Sequence, residues 1–212
     1  MGTQKNSETT REKIIEAAGQ LFSQRGFSAI TVRDIARKAG THLSALNYHF
    51  KGKDALYREV LLHACRSALM SPEEHEYLQN LDPRDALFLF VKGVIEQYKK
   101  QTTSHWELAI IDRESWYPSP VFEEVVDQFF RPETDFIAEI IGRISGKPAG
   151  SNEVRFAIIG LIGLLTLYGY YDYFIDAVAP DLRKTFHEED WLVKNIIHMV
   201  LAAVEQQETE ES

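Results

Sequence analysis

The chain has 212 residues, 44% of them apolar, enough to bury one large core or two small ones and too many for a mostly disordered chain. Its one cysteine, Cys65, excludes an internal disulfide and suits a reducing cytoplasm. The formal net charge of −9 hides an asymmetry: residues 1–53 carry nine Lys/Arg against four Asp/Glu, so a basic N-terminal part suited to a polyanion precedes an acidic body.

In chain order, nearly everything reads as helix. MGTQKNSETTREK lacks the apolar run of a secretion signal, and residues 1–8 are expected as a flexible tail. Thr9-x-x-Glu12 is a capping box, in which each side chain can satisfy an orphan backbone N–H. Apolar positions 14, 15, 18, 21 and 22 follow at helical spacing, with Gly26 as the stop. Thr31-x-x-Asp34 repeats the start signal for a two-turn helix whose inner face is Val32, Ile35, Ala36 and Ala39, ending at Gly40. A second two-turn helix fits within GTHLSALNYHFKGK (40–53). A fourth helix begins near Gly52 and runs through positions 56, 57, 60, 61 and 64 to about Met70, where Ser71-Pro72 breaks it.

Residues 72–82 read as a polar connection, with Glu74-His75-Glu76 a solvated turn. Asp82-Pro83 opens a helix with Leu87, Phe90, Val91, Val94, Ile95 and Tyr98 inward. A short helix near 104–114 leads into Trp116-Tyr117-Pro118-Ser119-Pro120, which cannot be helical throughout. Residues 121–145 form a long helix, interrupted or kinked at Arg131-Pro132 and stopped by GKPAG (146–150). Helix 152–176 follows, and a last one runs over about 189–205 before the tail EQQETEES (205–212), expected to be disordered. The core of helix 152–176, FAIIGLIGLLTLYGYY (156–171), is free of charge but shorter than the roughly 20 residues that span a bilayer, and reads as a doubly buried helix of a soluble bundle. No repeat and no strand is read. The fold class is all-α.

The pieces between 31 and 50 have the spacing of a helix-turn-helix. An isolated helix of two turns is unstable in water, so tertiary contacts must hold the second one. Leu46 and Phe50, four apart, can dock on Ile15, Ala18, Phe22 and Ile35. His42, Leu43, Ser44, Asn47, Tyr48 and His49 are then left on the other side, on a helix sized for the major groove of B-DNA. Leu43 could serve the core or meet a thymine methyl, and both readings stand. Tyr48 could equally be partly buried, and the histidines ordinary surface residues. Thr31 and Lys53 start flanking helices, where N–H groups and positive charge suit phosphate.

At these residues the sequence resembles a known family. TREKIIEAAGQLFSQRGFSAITVRDIARKAGTHLSALNYHFKGKDALY (10–57) looks like the DNA-binding domain of TetR-type transcriptional regulators, through I-x-x-A-A-x-x-L-F, G-F, T-V-R-D-I-A-x-x-A-G and Y-H-F. The resemblance implies a DNA-facing role for Thr31, Arg33, Thr41, His42, Leu43, Ser44, Asn47, Tyr48, His49 and Lys53. In that scheme the start of helix three and Arg33 read bases, while Tyr48, His49 and Lys53 hold the backbone. Asn47 stands where a phosphate-contacting tyrosine is frequent, and Ser44 where glycine or proline often lies.

Further on, Arg113-Glu114, Pro118-Ser119-Pro120 and Arg131-Pro132 resemble the C-terminal domain of the CecR-like branch. This implies a homodimer with a four-helix interface, to which Phe156, Ile159, Gly163, Leu167, Ile196, Val200, Leu201 and Val204 would contribute. It also implies a small-molecule effector of apolar or aromatic character, in a pocket lined by Tyr98, Trp106, Arg113, Glu114, Trp116, Phe129 and Tyr168. These aromatics could equally be core. The expected organisation is a helix-turn-helix domain over 9–70 and an effector-binding and dimerisation domain over 71–204. No catalytic residue, cofactor or metal site is read: there is no phosphate loop, no G-x-S-x-G, no H-E-x-x-H, and the seven histidines lack metal spacing. The expected function is a cytoplasmic, ligand-responsive regulator, a repressor on a palindromic operator, against the rival of a helical small-molecule-binding protein or enzyme that has left DNA.

Overall fold

A computed structural model describes residues 2–100, 106–170, 172–186 and 190–205. All described elements are helical and none is a strand. The chain divides into two units, Met1–Met70 with Ser104–Phe130, and Ser71–Thr103 with Arg131–Ser212.

The first unit begins with α1 (Gly2–Ala29). The helix passes straight through Thr9, so residues 2–8, expected as a flexible tail, are helical and α1 does not begin at Thr9. No glycine or proline interrupts Thr3–Phe22 before Gly19, and Gln, Lys and Glu are good helix formers. The path breaks at Gly26, whose φ of 77° lies in the left-handed region. Then come α2 (Val32–Lys38), α3 (Leu43–Phe50) and α4 (Lys53–Ala68). Thr31 caps α2 as expected: its hydroxyl oxygen accepts from Asp34 N–H and the Asp34 carboxylate accepts from Thr31 N–H. The Thr31 hydroxyl donating to Asp34 Oδ2 at 2.6 Å, and after it the Thr31 N–H, hold the Asp34 carboxyl below its usual pKa. Thr31→Ala should lower stability by about 1 kcal/mol, readable as a reduced urea midpoint of the full chain.

The same unit takes in α7 (Trp106–Trp116), α8 (Phe122–Val125) and a π-helical turn, Val126–Phe130. The boundary expected at residue 71 therefore does not separate everything beyond it from the helix-turn-helix. Trp106, Ile110 and Val125 are buried in one core with Ile14, Phe22, Ile35, Leu46 and Leu61. The π turn sits just before Pro132, where a missing N–H and the ring's clash with the carbonyl four residues back widen the spiral. This is the kink expected at Arg131-Pro132.

In the second unit, residues 72–79 form α5 (Pro72–Gln79), a helix where a connection was expected. Ser71 is its N-cap, Pro72 its first residue and Glu74 closes a capping box, with Glu74 Oε2 accepting from Ser71 N–H at 2.7 Å. His75 is thus helical, its Nδ1 3.0 Å from Ser71 O and its ring against Phe136. α6 (Pro83–Lys100), α9 (Arg131–Ser145), α10 (Asn152–Tyr170) and α13 (Trp191–Glu205) pack together, with α11 (Asp172–Val178) and α12 (Leu182–Thr185) between the last two. Tyr171 lies outside the described residues, as do 101–105, 187–189 and the tail from Gln206.

By length and composition Asn152–Gly169 is apolar enough to cross a membrane, with a mean hydropathy of 1.3. Within its unit only one side of α10 is covered. Val154, Ala157, Ile158, Leu161 and Leu165 are buried, whereas Phe156 and Ile159 are about two-thirds exposed and Ile162 nearly half. The expected double burial is therefore not met inside one chain.

Candidate nucleic-acid interface

α3 is held as the sequence requires. Leu46 and Phe50 are buried, and the guanidinium of Arg11 lies 5.5 Å from the Phe50 ring while bonding Glu59 of α4 at 2.6 Å. The turn into α3 passes through Gly40 at a φ of 63°, where a Cβ would strain the backbone. Lys51 also takes a left-handed conformation as the C-cap, ending the helix against Gly52.

The other face of α3 is open. His42, Leu43, Ser44, Asn47 and Tyr48 are exposed, His49 and Thr41 half-buried. Tyr48 is 79% exposed, and its ring meets His49 edge-on at 5.2 Å. Arg33 and Thr31 on the α2 side are also exposed. Lys53, half-buried, sits with its ammonium 4.1 Å from the Phe27 ring, itself 4.9 Å from Tyr57. An aromatic platform thus steers the lysine at the start of α4, a contact that no local sequence pattern announces. All ten residues expected to face DNA belong to the first unit, and none is fully buried.

The residues expected around an effector are divided. Trp106 is buried in the first unit, its Nε1 donating to Glu16 at 2.8 Å and its indole stacked on His63. A Cβ at Gly19 would fall inside that ring. Arg113 lies against Gly26 and over Tyr117. Glu114 is fully buried; it accepts from Tyr57 O–H at 2.6 Å and from Ser119 N–H at 2.7 Å. Burial first, and this bond second, push the Tyr57 phenol well above its usual pKa. Phe129 packs on the same core, and Trp116 is exposed. These five belong to the unit that carries α3, and Tyr98 and Tyr168 to the other unit. In the second unit, Tyr98 lies against Gly169, and Tyr168 meets Phe186, which stacks on Trp191.

The expected dimer residues also divide. Ile196, Val200, Leu201 and Val204 are buried inside the chain, because α13 turns that stripe onto α10, α6 and α9. The open side of α13 carries Met199 instead. Phe156, Ile159 and Gly163 remain exposed, and Leu167 is half-buried. Among the described residues no three His, Cys, Asp or Glu side chains gather where a metal ion could sit.

A capped helix, a glycine turn and a core-anchored second helix with an open polar face define a helix-turn-helix DNA-binding protein. The model for bacterial regulatory proteins of the TetR family matches residues 14–60, and that for the C-terminal domain of the HTH-type transcriptional dual regulator CecR matches residues 83–205. The chain belongs to the TetR family, in the branch with the CecR-type C-terminal domain, a family of transcriptional regulators and not of enzymes. The HTH-type transcriptional regulator AcrR of Shigella flexneri is 38% identical over 58 residues, 27% of each chain. The repressor KstR2 of Mycolicibacterium smegmatis is 43% identical over 51 residues, 24% of this chain and 25% of that one. These matches thus span only about a quarter of the relatives. Among solved structures, AibR in complex with isovaleryl coenzyme A and operator DNA aligns with a TM-score of 0.62 at 16% identity, over 91% of this chain and 96% of AibR, a likeness of fold.

Proposed function

We propose that this protein is a cytoplasmic homodimeric repressor that holds a palindromic operator with α3 and releases it when a small molecule binds the second unit. The carrying observation is α3 itself, fixed by Leu46 and Phe50 and bare on the side of His42, Leu43, Ser44, Asn47 and Tyr48. Repression is supported by the relationship to KstR2, and response to a ligand by the fold shared with AibR, whose structure holds both an acyl-coenzyme A and operator DNA. Tyr98 and Tyr168, with Phe186 and Trp191 beside the latter, are the aromatic groups of the second unit suited to an apolar effector. A hundredfold release needs about 2.7 kcal/mol of coupling between effector and DNA. Dimerisation is supported by the uncovered apolar side of α10 and by the match between two-fold protein symmetry and a palindrome.

The test is a gel shift on DNA flanking the gene, repeated across a salt series. Binding should weaken steeply with salt. Lys53→Ala should weaken it uniformly across sequences and lower the salt slope by about one. Absence of binding to any sequence in a broad selection would favour a small-molecule-binding protein or enzyme that no longer regulates DNA.

A further inference from the structure

We propose that α3 reads an A·T core in each half-site, taking adenine through Asn47 and the thymine C5-methyl through Leu43. The inference rests on α3 being the recognition helix, as argued above, and assigns the bases that it selects. Three observations carry it.

The first is the position of Leu43. Leu46 and Phe50 already supply the apolar anchor of α3, and Leu43 stands apart from them at 36% exposure in the first turn. It is not among the buried residues of the core, and its exposed part lies on the same face of α3 as Asn47, the side proposed to enter the groove. A major groove offers an isolated apolar side chain one apolar partner, the methyl group of thymine.

The second is Asn47. It is exposed, and among the described residues its amide has no hydrogen-bond partner. A carboxamide carries an acceptor and a donor side by side, the complement of N6–H and N7 on adenine. Leu43 and Asn47 lie four apart on one face, about 6 Å along the helix axis. Base steps rise about 3.4 Å, so the two residues address base pairs one or two steps apart.

The third is what α3 does not carry. Between Lys38 and Lys51 there is no arginine and no lysine. The commonest route to guanine, a charged fork onto O6 and N7, is therefore missing from the helix itself. The exposed arginine nearest to it in function, Arg33, belongs to α2 and would reach a flanking position. Tyr48 and His49, whose rings pack edge-on, lie further along the helix toward Lys51 and Lys53 and are left for the phosphates.

The experiment is a selection from random duplexes with the full-length wild-type protein, followed by titration of base analogues at fixed salt. The selected half-sites should share adenine and thymine within two steps. Replacing that thymine by uracil removes only the methyl and should weaken wild-type binding about fourfold per half-site, an effect absent in Leu43→Ala. Replacing the adenine by 7-deazaadenine should cost about tenfold and leave Asn47→Ala unchanged. Should either variant fold poorly, the analogue titrations on wild-type protein decide by themselves. A half-site with a G·C core, or wild-type indifference to both analogues, overturns the A·T assignment while leaving the repressor reading intact. Binding without any sequence preference overturns both.

Discussion

Replacing Ile159 by glutamate is expected to split the protein into monomers and to abolish tight operator binding. Ile159 projects from the open side of α10, about two-thirds exposed, next to Phe156 and one turn from Gly163. A Cβ added at Gly160 or Gly163 would meet nothing within 4 Å, so this side of the helix is open to close backbone approach. In a two-fold contact each substitution occurs twice, and two carboxylates without partners would enter an apolar seam. Sedimentation should fall from about twice 24.3 kDa to 24.3 kDa. Losing the linkage between two reading heads should lower operator affinity by about a hundredfold or more. Because Ile159 is not part of the core of its own chain, far-UV circular dichroism should retain the helical signal, which separates loss of dimer from loss of fold. A variant that stays dimeric, or a wild-type protein that is monomeric at micromolar concentration, would remove the proposed role of α10.

The helix-turn-helix was legible because its signals are local. Thr31 with Asp34, Gly40, and the pair Leu46 and Phe50 each specify a cap, a turn or a buried face within a few residues, and the structure places them so. α5 was equally announced by Ser71-Pro72-Glu73-Glu74, but reading Ser71-Pro72 as the end of α4 hid its second meaning as the start of the next helix. The allegiance of α7 was not legible. Trp106 finds Glu16 and the notch at Gly19 about ninety positions back, and nothing in the spacing of α7 says that its indole belongs there. The stripe of α13 shows a related limit. Periodicity at Ile196, Val200, Leu201 and Val204 tells which side is apolar, not whether α10 of the same chain or of another copy covers it. The ten positions expected to face DNA lie outside the core, because an exposed polar face is what remains once the anchor of a short helix is known.

Glu114→Ala is expected to be strongly destabilising for a change at a polar residue, costing about 3 kcal/mol. The carboxylate is fully buried and serves two donors on different elements, Tyr57 O–H on α4 and Ser119 N–H in the turn after α7. Truncation leaves both donors without an acceptor and opens a cavity. Ser119 Oγ in turn accepts from Val121 N–H, so the turn that leads into α8 loses its brace as well. Tyr57→Phe removes one donor and leaves the buried carboxylate with the other, and should cost less. In a double-mutant cycle the pair should show a coupling of about 2 kcal/mol, as expected for a hydrogen bond to a charged group. Urea unfolding of the full chain followed by tryptophan fluorescence reads this directly, since Trp106 reports from the same core. The raised phenol pKa adds a sign that can be checked independently. A folded state that keeps Tyr57 protonated contributes stability present below the ordinary tyrosine pKa of about 10 and lost as pH climbs above it. Tyr57→Phe should blunt that alkaline loss, whereas a cycle with no coupling and an unchanged alkaline limb would mean that Glu114 is held by its surroundings and not by this bond.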